Sequence, residues 1–472
     1  MLTKFIIAGT VYLAILIFLV RITRVKEKTT SNYLLGGGNV GFVIGLFTTA
    51  ATLFSAFTVI GMPDFFRTHG IGAWIFLAVS DAMMVYGLIR VGELLRRKAR
   101  KLDFKGMSGL MATTYETKLA GYVAFGGAVV FLIPYIAVQI SGISIFLNAA
   151  FPEAIPVWGW SLLIVAIMIL YSETGGLRAI MYNDTLQGIL LFIMIWIVGW
   201  NCIEHFGSVE SMFKKVETVN KELLSVPGPK GLFSPQFLLV SAIAIICLPF
   251  TQPQISTRVV IMRSSSALRK MAIGLGVVAI LIILPTMFMG MYGAVLYPDA
   301  STQDFIGHVL LHDQASSIAA LGLVGLIAAA ISTSDSQIFA LGSELRSLLS
   351  IDDKKAVSIT RVFIFVFGIL ALIFSIVSTE HLVLLARTSF TGTAMMAPMI
   401  LVGILSSKKL TKLMPIVTLS ALLIFILAKL GVLPTKIGML QIELVLFISL
   451  AIAAIIEVKL LRSTKTSVES NS

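Results

Sequence analysis

Apolar runs of about twenty residues recur from one end of this chain to the other, each long enough to carry a helix across a bilayer's hydrocarbon core. About thirteen such segments can be drawn, the first over 3–20 and the last ending near 460. Few folds satisfy that pattern. Inside lipid every backbone N–H and C=O must find its partner within the protein, which selects helices for long apolar segments. Composition agrees: 57% of the 472 residues are hydrophobic and only 13% are charged. The sequence therefore describes an all-α polytopic membrane protein. Its net charge of +12 does not mark nucleic-acid binding, because excess Lys and Arg in such chains gathers in cytoplasmic loops. Cys202 and Cys247 are too few and too far apart for a disulfide framework.

The loop charges set an expected orientation. Arg21, then Arg96 and Arg97, Arg178, Arg258 and Arg263, Arg346 and Lys459 fall between alternate segments. The remaining connections carry Glu153, Asp299, Asp304 and Asp313. The positive-inside rule then places the N-terminus outside and the C-terminus in the cytoplasm, as in a multi-pass protein of the plasma membrane. Phe5 to Val20, preceded only by Lys4 and lacking a small-residue cleavage site, reads as a retained first span. The long connection from Glu204 to Phe233 is expected to hold a short surface helix, and the polar tail after Arg462 to be disordered.

Two segments are interrupted. One runs from Gly45 to Ser55 and meets Gly61 and Pro63; the other ends in Cys247-Leu-Pro249-Phe-Thr251-Gln252-Pro253. Breaks of this kind free backbone groups to meet ions and solutes near the midplane, although ordinary proline kinks stay open as an alternative. If each break opens a five-helix unit, the units cover 41–203 and 236–405, and their odd helix number forces opposite orientations. A leading helix over 3–20, two trailing helices over 412–460 and a cytoplasmic tail over 463–472 complete a single domain.

Deep in another apolar segment lies Ala328-Ala-Ala-Ile-Ser332-Thr333-Ser334-Asp335-Ser336-Gln337. On a helix Ala329, Ser332, Thr333 and Ser336 share one face. Small hydroxyls on one face suit a dehydrated cation, and Asp335 adds charge nearby; close helix packing by small residues is the alternative reading.

These residues resemble a known family. Asn32-Tyr-Leu-Leu-Gly36-Gly37-Gly38, Ser55-Ala-Phe-Thr58-Val-Ile-Gly61-Met-Pro63, Thr174-Gly-Gly-Leu-Arg178-Ala-Ile-Met-Tyr-Asn183-Asp184-Thr-Leu-Gln187, Gln252-Pro-Gln-Ile-Ser-Thr-Arg258 and Ala329 to Gln337 occur in order along the chain. Together they are similar to the sodium/solute symporters, which include proline, glucose, pantothenate and sialic-acid transporters. The resemblance implies a LeuT-type fold with two inverted five-helix repeats and Na⁺ as coupling ion. It implies a sodium site made by the carbonyls of Ala51, Phe54 and Ala329 and the hydroxyls of Ser332 and Thr333. Five neutral oxygens suit Na⁺ better than a transition metal. Some members hold a second sodium, for which Asp184, Asp335 and Ser336 stand at the matching positions. Here Asp335 replaces a hydroxyl. Helix capping by Asp184, or pairing with Arg178, remains open.

The resemblance puts the solute against the broken first helix, at Leu53, Ser55 and Thr58. Departures at Leu53, Ile245 and Leu248 disfavour proline and sugars, and Tyr135 stands where sialic-acid transporters carry an Arg. Gln139, Thr251, Gln252, Thr388 and Thr391 are further polar candidates. Arg387 could meet a carboxylate or snorkel to the interface, and Asp81 is left without a role. The expected function is sodium-coupled import of a small polar, carboxylate-bearing solute by alternating access, with membrane lipid as the surroundings. Neither nucleic acid nor an obligate protein partner is expected. Proton coupling through Asp335 is the alternative, and a sensor or scaffold a more distant one. An enzyme is disfavoured, because the spans hold no nucleophile–base pair, metal cluster or phosphate loop.

Overall fold

The structure, a computed structural model, describes residues 2–23, 35–36, 38–349, 353–377, 382–406 and 410–469. Asn32 to Leu34 and Gly37 of the expected entry motif lie outside the described residues. A leading helix α1 (Leu2–Thr23) is followed by the bent pair α2 (Phe42–Leu53) and α3 (Phe57–His69), which meet at 56°. Then come α4 (Gly72–Lys101), the short α5 (Met107–Thr114), α6 (Lys118–Ala150), α7 (Val157–Ile169) and α8 (Gly176–Glu204). A surface helix α9 (Val209–Asn220), capped by Ser208, stands where the sequence predicted one.

The second half repeats the plan. The bent pair α10 (Pro235–Thr251) and α11 (Pro253–Val260) meets at 55°. It is followed by α12 (Ser265–Leu296), α13 (Thr302–Gly307), α14 (Ser316–Leu348), α15 (Asp353–Val377) and α16 (Leu382–Leu405). Two trailing helices, α17 (Leu413–Lys429) and α18 (Ile442–Glu469), flank a hairpin of β1 (Lys436–Ile437) and β2 (Leu440–Gln441). Contrary to the disordered tail expected after Arg462, α18 runs on to Glu469, as a formed helix propagates more easily than it starts. Among the described residues eight helices are long and apolar enough to cross a membrane, or ten with each bent pair as one span; α7 and α17 are shorter apolar helices.

Both bends arise from local chemistry. At the first, Phe54 leaves the helix in an extended conformation and a π-helical turn over Phe57–Gly61 follows, with Pro63 opening the next α-helical stretch. At the second, Gln252 is extended between Thr251 and Pro253, whose ring cannot donate to the helix ladder. The two pairs are stitched together at one end: Val40 N donates to Ile261 O (3.1 Å) and Arg263 N to Val40 O (3.0 Å). Gly176, at φ +65°, allows the break between α7 and α8 inside the Thr174–Gln187 motif.

Large apolar side chains such as Ile6, Phe18, Tyr86, Leu162, Val362 and Ile373 face outward, the inverse of a water-soluble surface. Polar residues are gathered within. Glu344, near the end of α14, accepts from Met107 N (2.8 Å) and Ser108 N (2.6 Å), so a remote carboxylate caps the start of α5. Tyr12 of α1 accepts from Gln187 Nε2 (2.7 Å), docking the leading helix on α8.

Close packing of α8 on α2 positions the first bend. A Cβ added at Gly188 would lie 3.3 Å from Ala51 Cβ and 3.4 Å from Phe47 O, whereas one at Gly126 would meet nothing within 4 Å. Gly188→Leu should therefore cost about 1–3 kcal/mol through overpacking. A lower melting temperature in detergent is expected for this variant, with Gly126→Leu unchanged beside it.

Candidate functional site

The bend between α2 and α3 ends a helix in mid-protein, so its last carbonyls have no helical partners and need others. The face of α14 predicted from spacing supplies them. Thr333 Oγ1 donates to Ala51 O at 2.9 Å, and Ser332 Oγ lies 3.5 Å from the same carbonyl. Ala51, Phe54, Ala329, Ser332 and Thr333 are all at most 2% exposed. The structure thus brings the Ser332–Thr333 face of α14 against the end of α2.

Ser332 makes a second bond, donating to Asp184 Oδ1 at 2.5 Å. A hydroxyl held that way keeps its lone pairs for a cation. The other oxygen, Asp184 Oδ2, accepts from Thr48 Oγ1 (2.6 Å) and from Arg258 Nη2 (2.7 Å). Arg258 also donates from Nη2 to Ser336 Oγ (2.7 Å), from Nε to Thr48 Oγ1 (2.9 Å) and from Nη1 to Gln254 O (2.8 Å). A second cation expected between Asp184 and Ser336 thus meets a guanidinium that belongs to the chain. Asp335 is fully buried beside Ser336 on α14. Asp184 pairs with Arg258 rather than with Arg178.

Arg258 is the residue that sequence reasoning misplaced. Counted there among loop charges, it is 1% exposed within α11. Its position in the Gln252–Arg258 motif, close behind a broken span, was the available signal.

The solute candidates divide into three groups. Leu53, Ser55 and Thr58 surround the first bend: Thr58 Oγ1 accepts from Ser55 N (3.2 Å), and Leu53 O accepts from Tyr135 Oη at 3.4 Å. Gln139 lies one turn along α6 from Tyr135 and donates to its carbonyl (3.3 Å). Gln252, at the second bend, accepts from Gln254 Nε2 (2.7 Å). Three buried polar atoms here, Ser55 Oγ, Gln139 Oε1 and Gln252 Nε2, have no hydrogen-bond partner among the described residues. Buried groups left so are costly unless something else meets them.

Thr251, Thr388 and Thr391 instead turn back on their own helices, donating to Cys247 O, Leu384 O and Arg387 O. Arg387 is committed elsewhere. It binds Glu443 of α18 through Nη1 (3.2 Å) and Nη2 (2.8 Å) and Ser241 through Nε (2.8 Å), with the Phe237 ring 4.2 Å away. It neither snorkels nor faces the bend.

Aromatic residues complete the surroundings of the first bend. Tyr135 and Phe390 meet edge-on at 4.9 Å between centroids, and Phe57 touches both. Asp81, just past a π-helical turn of α4, is buried and close enough to act electrostatically on the Tyr135 phenol. A cavity of about 650 Å³ is lined by Gly61, Ser141, Ser161, Lys230, Leu382 and Val383, among others. In its lining α16 approaches α3 closely: a Cβ at Gly61 would lie 3.0 Å from Val383 Cγ2.

A model of the sodium:solute symporter family matches residues 33–414. The chain belongs to that family. It is 27% identical over 278 residues to the sodium/pantothenate symporter of Escherichia coli, covering 57% of this chain and 56% of that protein. The Haemophilus influenzae sodium/pantothenate symporter is 26% identical over 329 residues, which cover 67% of this chain and 65% of its own. The chain thus spans little more than half the length of the first of these relatives and about two thirds of the second. A solved Na⁺-coupled sialic acid symporter in a substrate-bound, outward-open state superposes with a TM-score of 0.80 at 17% identity, over 97% of both chains. The fold is accordingly the LeuT type, and the family and structural neighbours are transporters, not enzymes.

The Arg387–Glu443 pair joins α16 to the trailing helix and is open to a test independent of transport. Breaking a buried pair leaves an uncompensated charge and costs about 3–5 kcal/mol, whereas replacing both partners by apolar residues is often nearly neutral. Glu443→Gln should lower the melting temperature in detergent sharply, and Arg387→Met combined with Glu443→Met should recover most of the loss.

Proposed function

We propose that this protein is a sodium-coupled symporter that imports a small, carboxylate-bearing solute across the plasma membrane by alternating access. The supporting observation is the meeting of Ser332 and Thr333 with the Ala51 carbonyl at the broken end of α2. Backbone carbonyls of Ala51, Phe54 and Ala329 with these two hydroxyls would hold Na⁺ as cargo, a donor set of neutral oxygens suited to it. Because the site joins α14 to the bend of α2, an ion bound there favours one relative placement of the two five-helix units, taken as 41–203 and 236–405. The loop charges support an N-terminus outside and a C-terminus in the cytoplasm. The cavity above Gly61 and Val383 then serves as the outer vestibule and their contact as the outer gate.

Solute recognition falls to Ser55, Gln139 and Gln252, whose unpartnered atoms offer both donors and acceptors at the level of the bends. The starts of α3 and α11 carry the partial positive charge of helix N-termini, which favours an anionic group. The relatives named for pantothenate and sialic acid also move carboxylates. With Arg387 occupied by Glu443, a carboxylate would be held by these dipoles and amide donors, not by a guanidinium.

Two measurements test this reading. Replacing Ser332 and Thr333 together by Ala removes two side-chain ligands while leaving the helix apolar. The apparent Na⁺ affinity of uptake should fall at least tenfold, or about 1.4 kcal/mol; unchanged sodium dependence would reject the site. For the solute, sodium-driven uptake into vesicles should be blocked by small carboxylates and not by neutral sugars. Stimulation by a neutral sugar that no carboxylate competes with would exclude the carboxylate class, and uptake that follows a pH gradient without Na⁺ would exclude sodium coupling.

A further inference from the structure

The guanidinium of Arg258 lies on the oxygens that a second cation would use. Both Nη2 protons are spent on Asp184 Oδ2 and Ser336 Oγ, each at 2.7 Å, while Nε and Nη1 are fixed by Thr48 and the Gln254 carbonyl. Those partners come from α2, α8, α11 and α14, so the charge is held by both halves of the fold. Asp184 is satisfied in turn: Oδ2 receives Arg258 and Thr48, and Oδ1 receives Ser332. Arginine keeps its proton in proteins and is tethered to α11, so this positive charge neither leaves by titration nor travels with the solute. The Asp184 carboxylate, a buried negative charge bonded directly to the Ser332 hydroxyl, is already paired with a cation.

We infer that Arg258 is the built-in cation of the second site, so that one Na⁺ accompanies each solute. The inference rests on the sodium-symport reading above and sets its stoichiometry. Na⁺ at the Ala51–Ser332–Thr333 site is then bound by neutral oxygens beside a closed ion pair. A free carboxylate at Asp184 would attract a second ion; with Arg258 in place it does not.

The test is ²²Na⁺ binding to the purified full-length protein in detergent, with cooperativity read from sodium titrations. The intact protein should bind one ion per chain with a Hill coefficient near one. Arg258→Gln removes the tethered charge but leaves Asp184 and Ser336, and should bind two ions with the Hill coefficient rising toward two. Adding Asp184→Asn to that variant should return it to one. Two ions bound by the intact protein would overturn the inference while leaving sodium coupling in place. One ion bound by a folded Arg258→Gln would overturn it as well. No sodium binding to the intact protein would reject the symport reading, and this stoichiometry with it. Should Arg258→Gln fail to fold, the ion count of the intact protein still decides.

Discussion

A guanidinium without water is tolerable only where acceptors surround it, and here they are drawn from four helices. Arg258 meets a carboxylate on α8, hydroxyls on α2 and α14, and a carbonyl of its own α11. Removing any one of them would leave charge or a polar group stranded in a medium of low dielectric constant, where that is expensive. The relative positions of these helices are therefore constrained by chemistry as well as by shape. The candidate sodium site depends on the same constraint, because Asp184 holds Ser332 and Ser332 lies beside the end of α2.

The two bends supply what continuous helices cannot. An unbroken helix in lipid offers only side chains, since its backbone groups are satisfied internally. Ending α2 at Phe54 and α10 at Gln252 exposes backbone dipoles at the centre of the molecule without exposing them to lipid. The two bends have near-equal angles, 56° and 55°. Aromatic rings of Phe57, Tyr135 and Phe390 pack edge to face beside the first bend.

Much of this was legible in the sequence because it is local. Hydropathy marked the helices, proline and glycine marked the bends, and the 3.6-residue period put Ser332 and Thr333 on one face. What escaped was set by contacts between distant residues. Asp184 and Arg258 are 74 positions apart, and Arg387 and Glu443 are 56 apart. From composition alone a single arginine behind a proline-interrupted span looks like a loop charge, and Arg387 looks like a free cation. Asp81 is opaque for the same reason, since only packing brings α4 near Tyr135. Position along the chain can say that a charge lies in a helix, and tertiary structure must say what neutralises it.

On the stoichiometry proposed above, the resident charge also determines what sodium can accomplish energetically. A tenfold sodium gradient is worth about 1.4 kcal/mol, and moving one positive charge down 100 mV about 2.3 kcal/mol, roughly a fiftyfold ratio. One Na⁺ moving with one monocarboxylate carries no net charge. The membrane potential then contributes nothing, and accumulation is limited to about tenfold, the sodium gradient itself. With two Na⁺ the cycle moves one net charge and the limit rises to roughly five thousandfold. A neutral solute with one Na⁺ falls between, at roughly five hundredfold. On that proposal Arg258 and the charge of the solute are linked: an arginine in the second site would give up the voltage term for an anion and keep it for a neutral or zwitterionic solute. In such a protein, the voltage dependence of uptake reports the charge of its substrate.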